Sequence, residues 1–497
     1  MKKALQQLLF IQLFTAVMAS TACQGNGQSR ITYVPDTALL GRAFETYREP
    51  TITHRRFKHA DIEPLVLKRK EGTAFEVSQL GISVLKKPIY QLKYGSGAKK
   101  VMLWSQMHGN EPTATMALMD LFNFLEASGD GMDSIRNLLK ERTSLYFIPM
   151  LNPDGADVYT RRNAMDVDLN RDARVGATVE GRLLIEAAKK VQPDFGFNLH
   201  DMNIYYNVPG TPNPVTIALL APAYNAERDI NEVRGNAMRI AVGINRILQG
   251  YVPDGVAKYD DTYSPRSFGD NFQGWGASTV LIESGGYKGD SEKQFIRKLN
   301  FIILLNALIE IAQGSYVQYD IAEYEAMPFS DSKLSDVLLR NVGASRDSID
   351  YKIDLAVIRD EQTEGDDYYV RSRIADVGDL KENYGYDELD AEGYHFMAGK
   401  IYPKVFNSVS EVSMETALEL LRKGYFAIQL TQMPDDRHHG LPLVVFNQRV
   451  PLAASPNLGR EANFFLARDS VPVYAVINGY LIDLSSVPQV EFKNTIQ

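Results

Sequence analysis

Between about residues 90 and 315 the chain alternates short apolar runs with longer amphipathic ones, and this alternation limits the fold more than any other feature. The apolar runs 101–107, 144–150, 195–200 and 278–283 are flanked by polar residues, as buried strands are. Segments 112–126, 180–190, 227–248 and 292–312 carry helical spacing, and Pro112 suits a first helical turn. Strand and helix in turn specify an α/β unit with a mixed, largely parallel sheet flanked by helices. After about residue 320 the texture changes. Short β-rich runs dominate at 337–341, 354–359, 368–374, 444–447, 463–467 and 473–477, with one helix near 414–423. This part reads as a separate β-rich domain.

A length of 497 residues corresponds to two to four domains at roughly 150 residues each. The formal net charge of −9, with no dense Lys/Arg stretch, argues against a nucleic-acid partner. At the N-terminus Lys2 and Lys3 precede an apolar run from Leu8 to Met18, and small residues follow. That order is a signal peptide, here 1–22, and the run is short for a spanning helix. The single cysteine, Cys23, stands directly after Ser20-Thr21-Ala22 and has no internal disulfide partner. The box is similar to a bacterial lipoprotein processing site, with Ser20 where Leu is usual. A lipid anchor at Cys23 and simple cleavage with release are the two outcomes. Either implies an exported protein, periplasmic or an outer-membrane lipoprotein. The polar stretch after Cys23 would serve as a tether. The organisation expected is therefore signal peptide 1–22, tether and lead-in 23–80, catalytic domain 81–318 and β-rich accessory domain 319–497.

Chemistry concentrates where the apolar runs end. The first leads into His108-Gly109-Asn110-Glu111-Pro112, a histidine and a carboxylate three residues apart. Gly109 permits a tight backbone between them. The third run ends in His200, followed by Asp201; the fourth ends in Glu283-Ser284-Gly285-Gly286. Ligands of open α/β sheets bind beyond the carboxyl ends of the strands, where all three groups fall. A catalytic zinc site uses three protein ligands and leaves a fourth position open. A carboxylate such as Glu283 after four apolar residues needs a charge or a cleft. Between these pieces stand the turn signal Asn152-Pro153-Asp154-Gly155, the run Arg161-Arg162-Asn163-Ala164, and Asp168-Leu169-Asn170-Arg171-Asp172. Arginine is the natural fork for a carboxylate. Taken singly, each of these has a bland alternative: a satisfied histidine, a strand-end carboxylate facing solvent, a solvated loop.

Taken in order, the set resembles the zinc metallocarboxypeptidases, the carboxypeptidase A-like group, over roughly residues 80–315. The resemblance implies that His108, Glu111 and His200 bind one catalytic Zn²⁺ per chain and that Glu283 is the general base. It implies that Arg161, favoured over Arg162 by the Arg-x-Asn spacing, steadies the oxyanion. Asn170 and Arg171 would clamp the substrate's terminal carboxylate. Asp201, directly after His200, is a candidate to support the ligands, and nothing in the sequence places it. A mobile tyrosine of the family has two candidates, Tyr263 and Tyr259, of which Tyr263 is taken. The specificity stretch holds Phe268, Asp270, Phe272 and Trp275 without a secure alignment. The implied activity is removal of C-terminal residues from peptides in the cell envelope. Two alternatives remain: an aspartoacylase-like deacylase of a small N-acyl amino acid, and a non-catalytic peptide-binding protein. The C-terminal region bears a fainter resemblance to the β-sandwich of amidohydrolases, in segments such as Leu389-Asp390-Ala391-Glu392-Gly393 and Leu458-Gly459-Arg460-Glu461-Ala462. His438 and His439 read as a solvated loop there.

Overall fold

In the computed structural model residues 36–450 and 456–497 are described, so the signal-peptide and Cys23 readings lie outside the described residues. Eight strands form the first sheet: β1 (Phe75–Ile82), β2 (Pro88–Tyr94), β3 (Lys99–Ser105), β4 (Thr143–Ile148), β5 (Phe195–Asp201), β6 (Ile217–Leu220), β7 (Val256–Lys258) and β8 (Ser278–Ser284). Their spatial order is β1-β2-β4-β3-β5-β8-β6-β7. The four central strands are mutually parallel, and β2 and β6 join them antiparallel. Strands covered on both faces read as continuous apolar runs. Val101, Met102, Leu103 and Trp104 of β3 are accordingly all fully buried.

Alternate residues of these strands face two helical layers. On one face Trp104 stacks with Phe272 at 4.2 Å between ring centroids, and Leu184 and Ala187 of the helix Val179–Val191 complete that layer. On the other face Phe147 meets Phe122 of the helix Thr113–Glu126, which packs on the helix Gln294–Gln313 through Phe124 and Phe301. Arg297 and Asp120 join these last two helices by a fully buried ion pair, Nη2 to Oδ1 2.5 Å. Among the described residues no helix is long and apolar enough to cross a membrane.

The chain leaves β3 for β4 on one side of it and later reaches β5 on the other. This reversal opens a crevice at the carboxyl ends of the strands, where a ligand can settle. The strand β1, in the stretch expected as lead-in, is the edge of this sheet.

The C-terminal region is β-rich and holds several sheets. Its strands are β9 (Leu334–Arg346), β10 (Ile349–Glu364), β11 (Asp367–Gly378), β12 (Tyr384–Asp390), β13 (His395–Ala398), β14 (Lys400–Phe406), β15 (Tyr425–Leu430), β16 (His438–His439), β17 (Val444–Phe446), β18 (Phe464–Arg468), β19 (Val471–Ile477) and β20 (Tyr480–Asp483). The large sheet runs β11-β10-β9-β13-β18-β19-β20, with β12 also on β9. It thus pairs segments 334–398 and 464–483. One face carries the parallel trio β14-β15-β17 and the helix Met414–Arg422, packed on Phe465 and Ile477. His438 and His439 are not a loop: they pair with Asn494 and Thr495, and His439 is buried. The described residues all fall within one compact unit.

Candidate metal centre and active site

Two turns interlock to build the first half of the site. After β3 the backbone passes through Gln106 at φ +51° and turns at His108. The Asn152 amide N–H donates to the Gln106 carbonyl at 3.0 Å, and its Nδ2 donates to the Met107 carbonyl at 3.2 Å. Gly109 lies so close to this second turn that a Cβ there would stand 1.9 Å from the carbonyl carbon of Gly155. Asp154 anchors the same turn from below, accepting from Ser83 Oγ at 2.7 Å and the Leu85 N–H at 2.9 Å. The Asn-Pro-Asp-Gly segment is therefore scaffolding that fixes where His108 and Glu111 point.

Glu111 turns back over its own loop, its N–H donating to the His108 carbonyl at 3.1 Å. Its carboxylate lies between two imidazoles: Oε1 is 2.8 Å from His108 Nδ1, and Oε2 is 2.7 Å from His200 Nδ1. The two Nδ1 atoms are 3.2 Å apart. Among the described residues these three side chains, all buried, form the group able to hold a metal ion, with donor atoms within 4.8 Å of one another. Burial opposes the charge on Glu111, but His108 and His200 outweigh it and hold the carboxyl far below its usual range. Burial lowers His200, which favours the neutral imidazole a metal requires.

The outer nitrogens of the rings are also held. His108 Nε2 faces Asp168 Oδ1 at 3.1 Å, and His200 Nε2 lies 3.5 Å from Asn170 Nδ2. A carboxylate on the far ring nitrogen fixes tautomer and orientation, turning Nδ1 inward. Asp168 also accepts from the Asn170 N–H at 2.9 Å and from Arg161 Nε at 3.1 Å. Arg161 reaches Glu111 Oε1 with Nη1 at 2.9 Å while its side chain stays 44% exposed, open to an incoming group. Arg162 turns away to the Asp166 carbonyl, so of the two arginines Arg161 is the one at the site.

Glu283 stands across the next strand, in register with His200. It is buried, and its Oε2 has no hydrogen-bond partner among the described residues. Burial, then the nearby carboxylates Glu111 and Asp201, push its carboxyl well above the ordinary range; Arg161 and Lys293 oppose them. Asn170 is buried and its Oδ1 accepts the Phe268 N–H at 2.8 Å, while Arg171 Nη1 donates to Ser267 Oγ at 3.1 Å. Asn170 thus lies beside His200, and Arg171 Nη1 also donates to the Asn170 carbonyl at 2.7 Å.

Residues 66–183 match the zinc carboxypeptidase family. The match takes in His108, Glu111, Arg161, Asn170 and Arg171 and ends before His200 and Glu283. Over 66 residues, 13% of each chain, the sequence is 38% identical to Carboxypeptidase SOL1 of Arabidopsis thaliana. Over 97 residues it is 32% identical to Gamma-D-glutamyl-L-diamino acid endopeptidase 1 of Lysinibacillus sphaericus, covering 18% of this chain and 24% of that one. The chain therefore aligns with at most about a quarter of the length of these two curated relatives. A metallo-carboxypeptidase from Burkholderia cenocepacia superposes with a TM-score of 0.42 at 17% identity, over 52% of this chain and 70% of that one.

Asp168 has no role assigned from the sequence; it sits in the Asp-Leu-Asn-Arg run, but nothing in that run says its carboxylate reaches His108. Asp201 sends its N–H to Glu111 Oε2 at 3.2 Å, and its side chain takes Thr113 Oγ1 at 2.5 Å and Lys293 Nζ at 3.5 Å. Tyr263 is half-buried in the loop between β7 and the helix Phe268–Gly274. Tyr259 is also half-buried, and burial and then Glu283 push its phenol up. Phe268 and Phe272 belong to the core around Trp104, Trp275 is exposed, and Asp270 accepts the Ser264 N–H, its carboxyl raised to about 6 by burial.

Proposed function

We propose that this chain is a zinc-dependent carboxypeptidase, hydrolysing the amide bond next to the free carboxylate of a peptide. The observation that carries this reading is the convergence of His108 Nδ1, Glu111 and His200 Nδ1 on one buried point, with Glu283 in register with His200 on the next strand and its Oε2 without a hydrogen-bond partner among the described residues. Two imidazoles and one carboxylate suit a catalytic zinc with an open position. Zinc bound there would polarise the scissile carbonyl and make water acidic enough to attack at neutral pH.

The chain's own residues supply the remainder. Glu283 takes the proton of the attacking water and passes it to the departing amine; burial and then the carboxylates Glu111 and Asp201 raise its carboxyl, which makes it a stronger base. Arg161, half-exposed and held by Asp168, donates to the carbonyl oxygen as negative charge develops there. Arg171 pairs with the substrate's terminal carboxylate, assisted by Asn170, which selects for a free C-terminus.

Export to the cell envelope, by the Lys2-Lys3 signal segment and Cys23, belongs to the same reading, as does a lipid anchor. Peptides carrying envelope-type linkages are then the natural substrates, a choice supported by the likeness to an endopeptidase whose name specifies a γ-D-glutamyl-L-diamino acid bond. The test is release of C-terminal residues from a peptide library, with and without chelator, alongside Glu283→Gln. Activity insensitive to chelator, or retained in Glu283→Gln, contradicts the reading. Turnover of N-acyl amino acids without any peptide release would replace it with a deacylase.

A further inference from the structure

The C-terminal β region docks on the same edge of the first sheet that carries the site. Just beyond His200, Tyr205 Oη donates to Asp336 Oδ2 at 2.5 Å, and Tyr386 Oη donates to the Ile204 carbonyl at 2.6 Å. Just beyond Glu283, Lys288 Nζ meets Asp387 Oδ1 at 2.9 Å. A third contact reaches the loop that bears Arg161. Glu361 of β10 receives two guanidinium groups, Arg55 Nη2 on Oε1 and Arg56 Nη2 on Oε2, the latter at 2.8 Å. Both arginines are buried, 9% exposed. Arg55 Nη1 donates to Tyr159 Oη at 2.9 Å. The Arg56 guanidinium is sandwiched between Tyr159, 3.8 Å from its ring centroid, and Tyr368 of β11, at 4.3 Å.

Tyr159 needs such a hold. Its φ is +50°, the left-handed region that bulky side chains avoid and that surrounding structure must enforce. Two residues later comes Arg161. The local bonds of the turn, Tyr159 N–H to the Ala156 carbonyl and Thr160 N–H to the Gly155 carbonyl, set its start. Beyond them, the stacked Arg56 ring contact and the Arg55 hydrogen bond fix Tyr159, and the one carboxylate of Glu361 holds both arginines.

We propose that Glu361 is a positioning residue for Arg161, acting through Arg55, Arg56 and Tyr159, so that the C-terminal β region is a working part of the active site. The kinetic side of this rests on the carboxypeptidase reading and on Arg161 acting in the transition state; the ordering of the loop does not. Two measurements on the full chain separate these. The first needs no activity. Arg161 and Arg162 are exposed trypsin sites in the loop, and cleavage in native protein reports local opening. In Glu361→Gln, nicking after Arg161 or Arg162, followed by mass spectrometry, should accelerate at least about fivefold, while zinc content stays at the wild-type level. Tyr159→Leu, which leaves the charges in place, should reproduce this and stands in if Glu361→Gln does not accumulate folded. Nicking at the wild-type rate in the folded variants overturns the proposal.

The second measurement is kinetic. Loss of a transition-state contact lowers kcat more than it changes KM, so Glu361→Gln should lose about tenfold in kcat with KM within about twofold. In an Arg161→Met background the same change should cost nothing further. A full, additive loss in that background overturns the proposal. A wild-type enzyme that releases no C-terminal residue from any peptide instead ends the functional reading, and the nicking experiment still decides the clamp.

Discussion

Asp168 is the residue whose replacement reports most on how the site is held. Its Oδ1 lies 3.1 Å from His108 Nε2 and accepts the Asn170 N–H at 2.9 Å, while Oδ2 accepts from Arg161 at 3.1 Å. Burial opposes its charge, yet His108, Arg161 and Arg171 keep the carboxyl well below its usual range, so the group is ionised at neutral pH. Asp168→Asn keeps the size but removes the charge. It also turns one of the two oxygens into a donor, which then faces either His108 Nε2–H or Arg161. Replacing the carboxylate behind a metal-ligating histidine typically weakens metal binding by 10–100-fold, or about 1.4–2.7 kcal/mol. Zinc affinity, read by competition with a chromophoric chelator at pH 7.5, should fall by roughly that factor, and kcat/KM should fall at least as far because Arg161 loses its support. The neighbouring Asp166, 90% exposed and paired only loosely with Arg162, is the control, and Asp166→Asn should leave both quantities unchanged. Zinc affinity within about twofold of wild type in Asp168→Asn would refute the orienting role.

Other consequences follow from the same geometry. Asp120→Ala leaves the fully buried Arg297 guanidinium without its carboxylate and should cost about 3–5 kcal/mol in urea unfolding; a loss under about 1 kcal/mol contradicts the pairing. Gly109→Ala places a methyl against the Gly155 backbone, so the two turns must part, and zinc affinity should drop by more than about tenfold, with a measurable fall in Tm. Glu310 lies fully buried, its Oε1 taking Tyr319 Oη at 2.6 Å and its carboxyl raised to about 7 by burial. Between the unfolded value near 4.5 and about 7 the folded chain binds more protons than the unfolded one, so this group makes stability fall as pH rises, by about 3 kcal/mol in all. Glu310→Gln removes that dependence. Its stability relative to wild type should rise by about that amount from pH 4.5 to pH 8, and a difference independent of pH would contradict the shift.

The parts legible in the sequence are those set by local pattern. The placement of His108, His200 and Glu283 at strand ends is legible because buried parallel strands read as apolar runs. Gly109 and the Asn-Pro-Asp-Gly turn were also readable, although only the structure shows that each turn needs the other. What escaped is carried by contacts distant in sequence or by weak patterns. Asp168 acts on a ring sixty residues earlier. Glu361 reaches back 306 residues to Arg55, and no local pattern links a strand carboxylate to a pair of arginines so far away. The edge strand β1, with several exposed positions, lacks the continuous apolar run that marked the central strands. The long strand β10 is legible only at its buried middle, because its ends leave the core and turn polar; β9 begins earlier than its apolar run, at the buried but polar Ser335 and Asp336.

The most direct test of the central claim compares matched peptides with free and amidated C-termini, using metal-depleted enzyme titrated with zinc. The account expects stepwise release of C-terminal residues from the free-acid peptides alone, appearing in proportion to zinc up to one equivalent per chain and absent from Glu283→Gln. Release without zinc, or equal attack on the amidated peptides, would contradict it.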